Sequence, residues 1–547
     1  MKVLTCLPLG LLLAAGTLRA APPTRPVPPQ GPVRTLETGK DELLHATITL
    51  PNHNTLLFFP GLKRSKVRVV ALQPDGSPAW EATLLKAQVM RGAGLLSSSG
   101  APSDESLITT MPLFMTSAEN TAYTVEPISD GAPEQGVPRN ALVVQAISPT
   151  GDIRGKVFKV PEVPAKTERA VITAFAEPGV VYVLARESSV REKTSQLYLD
   201  RCDLATGKLT QLALNLPPAA NVQHADDFDL DWVFAGFQAG TCHFYRALRG
   251  ADKRADARRT PVEFEVMRLA AADGHRLGGF VTKLHQGLPV KHYLQGGISF
   301  PHTGVARPPR SLTTAGKTVS LSRTFYLETG GDCEVLLDET TGGYLFAGQY
   351  TNEIASAGGS GLPGLGTFAQ RYSADGNLLK ASIAPYASVP GFDEDMLRPR
   401  STMLVFIPGM LLQSPFTQEL TFEFSTRDGG VMASSFDAQL SAAPRQLLSF
   451  EKRKGQEAVF FSGPSYLESP DNTTGAAQRH LLGGGLLASS SEMYRKIGQV
   501  VEAHANDKTR KGHTFYVYSV SATGPASALV IVAPYEQGKP VSVYNVN

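Results

Sequence analysis

Seven stretches of the chain alternate apolar and polar positions with a period of two and then run into a turn ending in glycine. They are VRVVALQPDG (Val67 to Gly76), ALVVQAISPTG (Ala141 to Gly151), QLYLDRCDLATG (Gln196 to Gly207), FEVMRLAAADG (Phe264 to Gly274), TFAQRYSADG (Thr367 to Gly376), TFEFSTRDGG (Thr421 to Gly430) and TFYVYSVSATG (Thr514 to Gly524). Period two with an Asp-Gly or Thr-Gly turn predicts a half-buried strand entering a hairpin. A second element has no such alternation. VVYVLARE (from Val180), DWVFAGFQ (from Asp231) and GYLFAGQY (from Gly343) are near-continuous apolar runs, as expected of strands covered on both faces. A unit made of one such strand and one hairpin cannot bury both faces of its sheet. Stacking units around an axis does so and leaves only short edges.

Helical periodicity is nearly absent. The exception begins at a capping box, Ser489 to Glu492, after which Met493, Ile497, Val500, Val501 and His504 share one face of a short amphipathic helix. The fold class is therefore all-β.

The fullest unit, GYLFAGQYTNEI…GTFAQRYSADGNLLKASI (Gly343 to Ile383), resembles the blade repeats of secreted bacterial β-propellers, in which a Gly-ended apolar strand precedes a strand closing in Asp-Gly-Asn or Asp-Gly-Ser. That resemblance implies blade topology and carries no catalytic residue with it. The turn glycines are spaced by 53 to 102 residues, against about 40 to 50 for an ordinary blade. Seven blades with long inter-strand loops are expected, six and eight being the alternatives. Lys317 to Leu337 is a candidate extra hairpin, and the insertions at about 290–340 and 440–512 are the expected recognition elements. A two-domain all-β protein is the competing architecture.

Residues 1–20 have a charged start, an apolar stretch (Leu4 to Ala15) and Ala20 before a cut, which reads as a secretory signal. Residues 21–36 hold a proline-rich linker, and 37–547 the propeller domain. The chain without its signal has 50 basic and 50 acidic residues, so nothing in its charge points to nucleic acid. No later apolar run reaches membrane-spanning length. A secreted or periplasmic protein is expected. Three cysteines follow the signal, an odd count for an oxidising compartment, and Cys202 with Cys242 is the preferred disulfide because the two fall in neighbouring repeats.

Candidate chemistry is sparse. Gly359 to Gly364 matches the letters of a dinucleotide fingerprint, but Pro363 and the strand that follows deny it the helix it needs. Asp227, Asp229 and Asp231 would project from one side of a strand, about 6 to 7 Å apart. Carboxylates so placed repel unless a cation joins them, and calcium is the matching ion; the other reading is a solvated loop entering the strand at Trp232. Asp393, Glu394 and Asp395 read as an exposed loop. His285, His292 and His302 have no ligand spacing, and Asn472 opens a glycosylation sequon. No catalytic residue is assigned and no cofactor beyond that calcium. The expected function is a non-catalytic binding or scaffold module of the cell envelope that takes a protein or glycan partner on one propeller face. The alternatives are a polysaccharide hydrolase or lyase with carboxylates at the central channel, and a structural coat component.

Overall fold

The structure is a computed structural model. It describes residues 32–44, 46–61, 66–85, 114–128, 136–164, 167–189, 194–217, 232–248, 263–283, 292–293, 311–314, 317–320, 333–338, 341–351, 366–388, 410–413, 420–425, 431–448, 459–461, 465–470, 477–483, 496–497, 499–500, 516–524, 527–534 and 537–547.

After a short strand β1 (Arg34–Leu36), the first sheet is β2 (Ala46–Thr49), β3 (Thr55–Pro60), β4 (Lys66–Leu72) and β5 (Pro78–Leu85). The second is β6 (Phe114–Ala118), β7 (Thr121–Ile128), β8 (Ala141–Ile147) and β9 (Ile153–Lys159). The third is β10 (Glu168–Glu177), β11 (Val180–Ser189), β12 (Thr194–Asp203) and β13 (Leu209–Leu214). The fourth is β14 (Val233–Gln238), β15 (Thr241–Leu248), β16 (Glu263–Ala270) and β17 (Arg276–Lys283). Between the fourth and fifth come β18 (His292–Tyr293) and a separate hairpin of β19 (Ser311–Thr314) and β20 (Lys317–Ser320). The fifth sheet is β21 (Cys333–Leu337), β22 (Tyr344–Thr351), β23 (Gly366–Tyr372) and β24 (Leu378–Pro385), with β18 also paired to β22. The sixth is β25 (Met410–Gln413), β26 (Leu420–Ser425), β27 (Val431–Phe436) and β28 (Ala442–Leu448). The last sheet joins β29 (Val459–Phe461), β30 (Ser465–Pro470) and β31 (Ala477–Gly483) to β32 (Tyr516–Gly524), β33 (Ser527–Pro534) and β34 (Val541–Val546), and its outer edge is β1. Among the described residues, the pairings are antiparallel except that of β29 with β32.

Each sheet packs on the next. Ala122 and Ile147 of the second sheet meet Ile48, Leu56 and Phe58 of the first. Val181 and Val183 carry the third sheet onto the second, and Phe244 and Met267 carry the fourth onto the third. Phe346 and Phe368 of the fifth meet Phe264 and Val266 of the fourth. β24 lies against β27 and β28, and β26 against β31. Leu529, Ile531 and Val543 of the last sheet close onto Leu57, Phe59 and Val70 of the first. Sheets arranged face to face in a closed ring make a β-propeller. Fully burying each of the Val, Leu, Ile, Phe and Met side chains among these contributes roughly 1.5–3 kcal/mol.

This ring explains the two hydrophobic patterns. A strand inside a sheet is covered by both neighbouring sheets, so β3 is buried throughout. Outer strands face solvent on their free side: β5 and β9 alternate, and β9 carries Arg154, Lys156 and Lys159, charges that discourage pairing at an open edge.

Five expected turn glycines (Gly76, Gly151, Gly207, Gly274 and Gly376) each join the third strand of a sheet to the fourth and have positive φ. Gly429 falls elsewhere, between β26 and β27, the second and third strands. The sixth sheet's third-to-fourth turn is Asp437 to Ser441, and there Leu440 takes the left-handed conformation (φ 58°) with Asp437 Oδ1 accepting from the Gln439 and Ser441 amides. Gly524 lies at the end of β32, a first-to-second turn. The repeated Phe-Ala-Gly string is likewise not equivalent: Phe234 to Gly236 sits in a first strand and Phe346 to Gly348 in a second. Backbone at 496–497 and 499–500 is helical, with Ile497 and Val500 buried, and Met493, Val501 and His504 of the expected helix lie outside the described residues.

Each turn glycine also has a neighbour from the sheet before it. A Cβ at Gly151 would stand 2.8 Å from the Trp80 ring, at Gly207 3.2 Å from Lys156 Nζ, at Gly274 3.1 Å from Leu212, and at Gly376 2.4 Å from the Phe280 ring. Trp80 Nε1 donates to Pro149 O (2.7 Å) and Lys156 Nζ to Ala205 O (3.2 Å), in both cases the carbonyl two residues before the glycine. Arg371 Nη1 donates to Ala438 O (2.9 Å), two residues before Leu440. The glycine thus serves both the turn and the seam between sheets.

Candidate functional site

The meander gives the ring two unlike ends. First-to-second and third-to-fourth strand turns emerge at one end, and those described are tight, as at Pro178–Gly179 and Gln73–Ser77. Second-to-third links and sheet-to-sheet connections emerge at the other. The strand ends there are joined by 86–113, 218–231, 249–262, 284–291, 352–365 and 389–409, all outside the described residues.

Two charged clusters hold the strands, one just beneath that second end and one reaching from it into the middle of the third sheet. Arg246, near the end of β15, and Glu265, near the start of β16, are register partners. Arg246 Nε and Nη2 donate to Glu265 Oε2 at 2.7 and 2.6 Å. The guanidinium carbon lies 4.4 Å from the centroid of the Trp232 ring, and Nη1 donates to Pro217 O at 3.1 Å. Trp232 Nε1 donates to that same carbonyl at 2.8 Å. The end of the third sheet and the start of the fourth are therefore drawn together. Cation–π contact and a charge-assisted bond in a buried setting reinforce each other.

The second cluster lies within the third sheet. Arg169 of β10 bridges Glu187 of β11 and Asp200 of β12, and Gln211 Nε2 of β13 donates to Asp200 Oδ1 at 3.2 Å. The guanidinium carbon lies 5.6 Å from the centroid of the Tyr198 ring. Asp200 is fully buried; desolvation raises its pKa above the ordinary value, and Arg169 opposes that shift. One arginine thus ties three adjacent strands.

At the tight-turn end, His243 Nδ1 and Tyr344 Oη are 2.7 Å apart across the seam of the fourth and fifth sheets. Burial first, and then the positive charge of Arg268, lower the His243 pKa from 6.5 to about 4. A depressed histidine pKa contributes stability that is complete above pH 6.5 and is lost as pH falls towards 4. The loss expected over that range is about 3 kcal/mol. Urea denaturation at pH 7 and pH 4 should show it, and His243→Gln should flatten the difference. Equal slopes in the two proteins would mean that His243 is not the group responsible.

The expected Cys202–Cys242 disulfide is replaced by two free buried thiols. Cys202 packs between the second and third sheets and Cys242 between the third and fourth, so the third sheet stands between them. Neighbouring repeats place cysteines on neighbouring sheets, but the side of the sheet is set by strand register. Burial raises both thiols, Cys242 to about 12, which makes them poor nucleophiles. The side chain of Cys333, on β21, lies outside the described residues.

Asp227, Asp229 and Asp231 lie outside the described residues, in the segment joining Pro217 to Trp232, as do Asp393, Glu394, Asp395, His285 and His302; of His292, only its place on β18 is described. Among the described residues no three His, Cys, Asp or Glu side chains gather as metal ligands. Neither the Arg246–Glu265 nor the Arg169–Asp200 cluster is legible in the order of residues. Their members are 19 and 31 residues apart; Arg246 and Glu265 meet as register partners, and Arg169 reaches Asp200 across the strand between them.

No family model matches the chain, and no curated protein does. Several solved structures resemble it at low identity. The polysaccharide lyase Uly1 is 8% identical with a TM-score of 0.33, covering 82% of this chain and 98% of that one. The β-propeller domain of the Trilobed protease from Pyrococcus furiosus is 6% identical with a TM-score of 0.32, covering 81% and 96%. The six-bladed Aleuria aurantia lectin is 10% identical with a TM-score of 0.26, covering 76% and 97%. At such values the ring of sheets described above, rather than any one neighbour, carries the fold: this chain is a β-propeller.

Proposed function

We propose that the protein is an exported, seven-bladed, non-catalytic binding or scaffold module of the cell envelope, taking a protein or glycan partner on the end of the ring that bears the long connections. The observation that supports this reading is the segregation of connections. Tight, glycine-closed turns occupy one end and the long segments the other, and loops displayed from a rigid scaffold are where recognition residues usually sit. The Trp232–Arg246–Glu265 and Arg169–Asp200 clusters fix the strand ends beneath those segments, so a ligand would meet a preorganised base. The 218–231 connection, anchored at Pro217 and Trp232, carries Asp227, Asp229 and Asp231, the proposed calcium ligands.

The test is a pull-down from native envelope, with and without chelator, using the full chain and a variant in which 249–262 and 352–365 are replaced by short Gly-Ser linkers. The reading expects the variant to keep its thermal transition and lose its partners, with chelator weakening the wild-type capture. Capture unchanged in the variant would remove the assignment of this end. Release of reducing sugars or unsaturated uronates from envelope polysaccharide would replace it with a hydrolase or lyase.

A further inference from the structure

Arg186, Arg268 and Arg371 each have an Nε closed to solvent with no hydrogen-bond partner, and of the three Arg268 is the one that stands beside a histidine on the seam between the fourth and fifth sheets. Arg169 and Arg246 are paired with carboxylates, and Arg371 reaches a turn carbonyl. Arg268 Nε is closed to solvent and has no hydrogen-bond partner, and the ion pairs among the described residues are made by Arg68, Arg169, Arg201, Arg246 and His275 rather than by Arg268. A partly buried cation left in this way carries an unmet desolvation cost.

Its surroundings are well defined. Arg268 on β16 is the register partner of His243 on β15 and shares with it the face turned to the fifth sheet. From that sheet β22 brings Tyr344, whose hydroxyl meets His243, with the Phe280 ring of β17 5.3 Å away. β14 brings Gly236 opposite His243 and adds no charge there. Gly278 on β17 leaves the space over which the guanidinium lies: a Cβ there would stand 2.9 Å from Nη2. The nearby turn pair, His275 Nδ1 and Asp273 Oδ1 at 2.6 Å, is exposed and self-contained. Cation, imidazole and phenol therefore converge in one seam.

We propose that the seam between the fourth and fifth sheets is an anion site, in which Arg268 takes a small oxyanion, a carboxylate or a phosphate, with His243 and Tyr344 as its polar wall. Planar guanidinium donors match either group. The proposal does not depend on recognition at the opposite end of the ring. It has a linked consequence. Arg268 is one of the causes holding His243 neutral, so an anion beside Arg268 restores the imidazolium, and binding tightens as pH falls.

The experiment follows the His243 imidazole by NMR through a pH titration of the full chain, its signal assigned by loss in His243→Gln. Inorganic phosphate and galacturonate are added in separate arms, with chloride as control. The expected result is a rise of about one pH unit in the His243 midpoint with one oxyanion or both, and loss of the response in Arg268→Met. A response to phosphate alone assigns a phosphate ligand, and one to galacturonate alone a carboxylate. If Arg268→Met does not fold, Gly278→Ala provides the second test, since its methyl group intrudes on the guanidinium and should weaken the response. No response to either oxyanion, or the same response in whichever variant folds, overturns the proposal.

Discussion

Arg169→Met is expected to destabilise the protein by about 3–5 kcal/mol at pH 7, the usual cost of removing one partner from a buried ion pair. Asp200 is fully buried, and Gln211 would remain its neutral donor. The loss should depend on pH in a definite direction. Burial already raises the Asp200 pKa in the folded chain, and without the guanidinium it rises further. A raised carboxyl pKa gives stability that is complete below the unfolded value and is lost as pH climbs through the folded one. The deficit of Arg169→Met should therefore be full at pH 7 and shrink towards pH 4. Adding Asp200→Asn should recover much of it at neutral pH. Urea denaturation of the three proteins at pH 4 and pH 7 is the measurement; a deficit independent of pH would point to lost packing against Tyr198 instead.

Gly376→Ala should cost about 2–5 kcal/mol. One part is the backbone, since φ is +83° and an L-residue there costs about 1–2 kcal/mol. The other is the seam: the new methyl group would sit 2.4 Å from the Phe280 ring, which must move, and forcing extra volume into a packed site costs about 1–3 kcal/mol. Gly179→Ala separates the two. Its φ is +77° and nothing lies within 4 Å of the added carbon, so only the backbone part should appear. Equal losses at both positions would show that the ring does not resist the methyl group.

These two sites illustrate what could be read from the chain beforehand. The all-β class and the hairpin turns were legible because period two and an Asp-Gly or Thr-Gly pair are local signals, as at Gly76 and Gly376. The sixth sheet defeated the same reasoning. Its third-to-fourth turn uses Leu440 where glycine was expected, and the visible Asp428-Gly429 pair belongs to a different link. Phe234 to Gly236 and Phe346 to Gly348 look alike because both strands are buried, yet burial does not distinguish a first strand from a second. Arg169 finds Asp200, and His243 finds Tyr344, through strand pairing and through the meeting of separate sheets. Neither relation leaves a trace in spacing. The Cys202–Cys242 expectation failed for that reason, since nearness in the repeat says nothing about which side of a sheet a side chain takes.

The pairing of β1 with β34, Arg34 opposite Val543 and Leu36 opposite Val541, has a bearing on how the chain is made. A ribosome delivers β1 long before β34. The outermost strand of the last sheet must wait, unpaired, while some five hundred residues are synthesised, and closing so long a loop is slow. Six sheets can form in order on local contacts, but the ring has no means of locking until β34 arrives. A stalled or truncated chain would therefore present two open sheet faces and a loose strand, a form well suited to capture by a chaperone or protease.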